Sequence, residues 1–186
     1  MPDRSRTVLQ VARRAIEQAL GATASRAPVD ESWLREPGSA FVTLRQDGAL
    51  RGCIGSLEAW RPLAEDIAHN AVAAALHDRR FPPVNATELD RLEVEVSLLT
   101  PSIPLPCIDE ADARRQLRPG IDGVVLEYGG QRATFLPQVW DSLPEPADFL
   151  SELKQKAGLP ADFWHPDLQL RRYGVEKFCE RNTCSE

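Results

Sequence analysis

Residues 40–57 read AFVTLRQDGALRGCIGSL, and the fold turns on how this stretch pairs with itself. Asp47-Gly48 stands between two apolar runs, the strongest short-range signal for a β-hairpin. A two-residue loop sets Gln46 against Ala49, Leu44 against Arg51 and Val42 against Cys53. Arg51 and Cys53 then share one face, and Phe41, Leu50 and Ile54 take the other; a bulge at Gly52 would invert this. Cys53 lies between Gly52 and Gly55, and glycine inside a strand marks a bulge or a close approach by backbone or ligand. The thiol is therefore either a small core residue in a tight hairpin or a group held bare for something to reach.

Outward from the hairpin, helical and extended patterns alternate. Val8, Leu9, Ala12, Ile16 and Leu20 recur at helical spacing ahead of Gly21, predicting an amphipathic helix over residues 5–20. Ala22 to Gly38 reads as a loop with a short turn at Ser32 to Leu34. Pro62 opens a second helix over residues 61–76, which Pro82 and Pro83 stop, leaving His77, Asp78, Arg79 and Arg80 at its end. LEVEVSLL (92–99) alternates as a half-buried strand, and Asp109 to Leu117 reads as a short helix. GVVLEY and QRATFL flank Gly129-Gly130 as a second hairpin; a helix over Asp148 to Ala157 and one last strand over Leu168 to Phe178 follow.

The 186 residues suit one domain with one well-buried core and at most a small second lobe, and 42% hydrophobic with 27% charged residues is a globular composition. No apolar run is long enough to span a bilayer, and the start of the chain has no signal-peptide core, so a cytoplasmic protein with reduced cysteines is expected. A net charge of −6 argues against a nucleic-acid binder. The four cysteines form no CxxC pair, which leaves no metal site or cofactor to expect.

Cys53 is the candidate nucleophile, since a working cysteine needs a nearby cation or base and an open approach; Arg51, Gly52 and Gly55 supply those features. His77 and Asp78 are candidate proton carriers and Arg80 an anion clamp, with a solvated charged helix end as the plain alternative. Gln138 lies in LPQVWDSLP, a rigid segment able to line a cleft, whereas Lys156 on its own reads as a solvated helix residue.

LRGCIGSL, DRRFPP, LEVEVSLLTP, IDGVVLEYGGQRATFLPQVW, and FLSELKQKAGLP with RRYGVEKF together resemble the AMMECR domain family, in the bacterial form called AmmeMemoRadiSam system protein A. The likeness runs from about residue 5 to residue 180. It implies a compact α+β fold, a mixed or antiparallel sheet with helices, in two unequal subdomains that form a cleft. On this chain it assigns to the cleft Arg51, Gly52, Cys53 and Gly55; Asp78, Arg80 and Phe81; Pro137 and Gln138; and Lys156. The family's second motif usually reads D-P-R-F-P-P, and Arg79 replaces its first proline here. The resemblance also implies partners, a Memo-like protein and a radical S-adenosylmethionine enzyme, but no settled reaction. Two readings stand: a thiol-dependent enzyme or substrate-binding protein, in which Arg51 or Arg80 holds a small anionic ligand, and a non-catalytic scaffold in which Cys53 is structural.

Overall fold

The computed structural model describes residues 3–22 and 31–180. The fold is α+β, with helices and two four-stranded sheets whose recorded strand pairs are antiparallel. The chain divides into two compact units, residues 1–99 with 176–186, and residues 100–175.

The first unit opens with α1 (Arg4–Ala19), capped by the Asp3 side chain on Ser5 N–H. After a 3₁₀ turn at Ser32–Arg35 come β1 (Ser39–Gln46) and β2 (Ala49–Gly55), then α2 (Leu63–Leu76), β3 (Leu92–Leu99) and, much later, β8 (Val175–Cys179). Residues 23–30 of the expected loop lie outside the described residues. The strand order is β2-β1-β3-β8. Ala40, Val42, Leu44, Val94 and Val96 face α1 and α2 and form one core with Val8, Ile16, Ile67 and Ala71. Strand alternation turns Thr43, Arg45, Glu93, Glu95 and Ser97 to the opposite face.

The Asp47-Gly48 turn forms as expected, both residues at positive φ (53° and 81°), as a tight two-residue hairpin requires. The pairing beyond it is different. Arg45 faces Leu50, but Leu44 faces Gly52, so Arg51 is the extra residue of a bulge. Thr43, not Val42, therefore opposes Cys53, and Phe41 opposes Gly55 on the cysteine's own face while Ile54 turns to the helices.

The second unit carries β4 (Ile103–Pro104), α3 (Glu110–Gln116), β5 (Gly123–Tyr128), β6 (Gln131–Phe135), α4 (Pro146–Lys156) and β7 (Gln169–Tyr173), in the sheet order β4-β7-β5-β6. Its core is built around Trp140 and Phe149, stacked 3.7 Å apart at 5°, with Val124, Leu126, Leu153 and Leu170. The single last strand read from the sequence is two strands: the chain breaks at Gly174, and β7 and β8 belong to different sheets.

Candidate functional site

The second motif is tied to the first through one peptide. β2 is an edge strand, so peptide groups that do not pair with β1 need other partners. Cys53 N–H donates to Asp78 Oδ2 at 2.9 Å, and Cys53 C=O accepts from Arg80 Nη2 at 3.1 Å. Asp78 and Arg80 are themselves joined: Nε reaches Oδ1 at 2.9 Å and Nη2 reaches Oδ2 at 2.7 Å, and Arg80 N–H adds a third bond to Oδ1 at 3.1 Å. Asp78 is buried and the Arg80 side chain is 57% exposed. The Arg80 guanidinium, helped by the two backbone N–H donors, holds the Asp78 carboxyl well below the usual aspartate range against the opposing effect of burial. The same pairing pushes the Arg80 guanidinium up. The guanidinium also lies 5.5 Å from the Phe81 ring centroid.

Arg51, displaced by the bulge, is consumed elsewhere. It meets Glu88 through Nε at 3.0 Å and Nη2 at 3.2 Å, and Pro82 C=O through Nη1 at 2.8 Å. Glu88, drawn down chiefly by that pairing, also accepts from Asn85 N–H in a capping box. Gly52 and Gly55 each have a packing reason. A Cβ on Gly52 would stand 2.1 Å from Ala74 O on α2, and one on Gly55 would stand 2.2 Å from the Phe41 ring.

The Cys53 thiol is half-buried on the sheet face away from the helices, where Thr43 Oγ1 donates to Sγ at 3.3 Å. His77 is the exposed C-cap of α2, its backbone N–H on Ala73 C=O at 2.8 Å. Gln138 and Lys156 lie in the second unit; Lys156 Nζ donates to Thr134 C=O at 3.0 Å and sits 5.0 Å from the Phe135 ring centroid. The structure thus brings Cys53, Asp78, Arg80 and Phe81 into one cluster within the first unit, with Arg51 turned to Glu88. The sequence reading missed Thr43 and Glu88. The bulge hid the first; the second could have been found from the N-x-x-E capping pattern at Asn85 to Glu88.

Among the described residues no group of three His, Cys, Asp or Glu is placed to hold a metal ion, and no helix is long and apolar enough to cross a membrane. Cys53 and Cys107 are free thiols, and burial, with Asp112 and Asp109 adding to it, pushes the Cys107 thiol up. Cys179 is disulfide-bonded, against the four reduced cysteines expected from the cytoplasmic reading of the start of the chain.

The AMMECR1 family model matches residues 9–178. A protein of Methanothermobacter thermautotrophicus is 41% identical over 186 residues, covering 96% of this chain and 95% of its own. Protein MJ0810 of Methanocaldococcus jannaschii is 39% identical over 183 residues, covering 92% and 88%. The crystal structure of the uncharacterized protein PH0010 from Pyrococcus horikoshii superposes with a TM-score of 0.80 at 35% identity, covering 95% of this chain and 91% of that one.

Proposed function

The chain belongs to the AMMECR1 family, and on that premise we propose that it is the protein A of a bacterial AmmeMemoRadiSam system. In this reading it presents the Cys53 thiol to a substrate, beside a Memo-like protein and a radical S-adenosylmethionine enzyme. One observation carries the reading: a buried carboxylate and its arginine hold both peptide groups of Cys53 at once. A thiol that meets a substrate gains from a fixed backbone, because a preorganised group loses less freedom on binding. Arg80, more than half exposed and lying over Phe81, spends Nε and Nη2 on Asp78 and Cys53 and offers Nη1 to a small anionic ligand, whereas all three nitrogens of the Arg51 guanidinium go to Glu88 and Pro82.

The scaffold reading also has an observation in its favour, because Ala74 and the Phe41 ring account for the two glycines without any ligand. Iodoacetamide labelling of the native protein at neutral pH, followed by peptide mapping, separates the two. Cys53 is expected to label several-fold faster than Cys107, whose thiol burial disfavours as thiolate. A Cys53 that labels no faster than Cys107, or only in denaturant, would make it structural and move the scaffold reading ahead.

A further inference from the structure

Across the first sheet runs a row of polar side chains on the face turned from the helices. Cys53 on β2 opposes Thr43 on β1, Thr43 opposes Glu95 on β3, and Glu95 is ion-paired with Lys177 on β8. Thr43 and Glu95 are buried at 8% and 7% exposure. Thr43 stands in register between two residues with acceptor side chains, a sulfur and a carboxylate, and a carboxylate is much the stronger acceptor. The hydroxyl nevertheless donates to Cys53 Sγ at 3.3 Å. Glu95 is drawn the other way: Lys177 Nζ lies 2.9 Å from Oε1 and Arg45 Nε 3.6 Å from Oε2.

We propose that Thr43 is a positioning residue for the Cys53 thiol and that Lys177 keeps it so, by occupying the Glu95 carboxylate that would otherwise capture the hydroxyl. The proposal rests on the reading of Cys53 as the working group and names what holds it. A hydroxyl that donates to sulfur fixes the direction of the Cys53 side chain, and a nucleophile already oriented loses less freedom in reacting. Neither proton carrier expected from the sequence is hydrogen-bonded to the thiol among the described residues: Asp78 is bound to the Cys53 N–H, and His77 is exposed at the end of α2.

The test compares the iodoacetamide labelling rate of Cys53 in the full chain and its variants, with Cys107 as internal reference and thermal unfolding as a check on folding. Thr43→Val, close in shape, is expected to slow Cys53 about fivefold, the size of one hydrogen bond, and Thr43→Ser to restore the wild-type rate. Lys177→Met, which leaves both Thr43 and Cys53 in place, is expected to slow it by a similar factor. The double variant Thr43→Val with Lys177→Met is expected to be no slower than either alone, because both remove the same hydrogen bond. Wild-type rates in Thr43→Val, or a double variant slowed by the product of the single effects, would overturn the proposal while leaving Cys53 the working thiol. A wild-type Cys53 that does not outpace Cys107 would overturn the underlying reading and this proposal with it.

Discussion

A Cβ built on Gly52 falls 2.1 Å from the Ala74 carbonyl oxygen and 3.0 Å from its carbon, both backbone atoms of α2 with no flexible end to yield. Gly52→Ala is expected to destabilise the protein by about 1–3 kcal/mol through overpacking, measured as a lower urea midpoint at unchanged slope. A loss near zero would mean that α2 slides freely over the sheet. Gly55 meets a side-chain ring instead, so its neighbour has a route to move. From the sequence both glycines were legible as places of close approach, but what approached was not. Helix and ring come from distant parts of the chain, and the same two letters fit a ligand equally well. Arg51 shows the other limit. Its position in LRGC was readable, yet a single bulge removed it from the ladder and gave it to Glu88, a residue 37 positions on.

At the scale of elements, the pattern of alternation fixed the kind of each strand but not its partner. LEVEVSLL and the Asp-Gly hairpin were identifiable because one face is apolar and core-bound. The break at Gly174 was not, because a strand leaving one sheet for another keeps its alternation. The Asp78–Arg80 fork does for the β2 edge what a further strand would do, supplying an acceptor and a donor to the peptide of Cys53. Its pH dependence has a definite sign. The folded-state pKa of Asp78 is lowered from the ordinary 3.8, so the stabilisation is complete above that value and is lost as pH falls through the folded-state value. Asp78→Asn, which keeps the shape but loses the charge, is expected to cost about 1–3 kcal/mol at neutral pH. The stability difference between wild type and Asp78→Asn should narrow as the solution is taken below pH 3.8. Chemical denaturation of both proteins across pH 2–7 measures this; a constant difference would show that the carboxylate charge contributes nothing.

At the scale of the whole molecule, the buried residues close into two cores, where length and composition allowed one core with a small second lobe. Residues such as Val8, Ile67 and Val94 close one, and Trp140, Phe149 and Leu170 close the other. Composition and length could not distinguish these arrangements, since either buries the same letters. Phe149 is fully buried, stacked on Trp140 and edge-on to Phe135 at 5.3 Å, so Phe149→Ala removes the centre of the second core. A loss of about 3–5 kcal/mol is expected there. Native-state hydrogen exchange locates the loss: amides of β5, β6 and β7 should lose protection, while those of β1 and β3 keep most of theirs if each unit draws its stability from its own core. Equal loss across both sheets would mean that the two cores unfold as one cooperative unit. In that case a substitution in the second unit would reach the Cys53 edge through the folding equilibrium, and labelling of Cys53 in Phe149→Ala would accelerate with the unfolded population. Retained protection in the first sheet together with an unchanged Cys53 labelling rate is the outcome that two separately stabilised cores require.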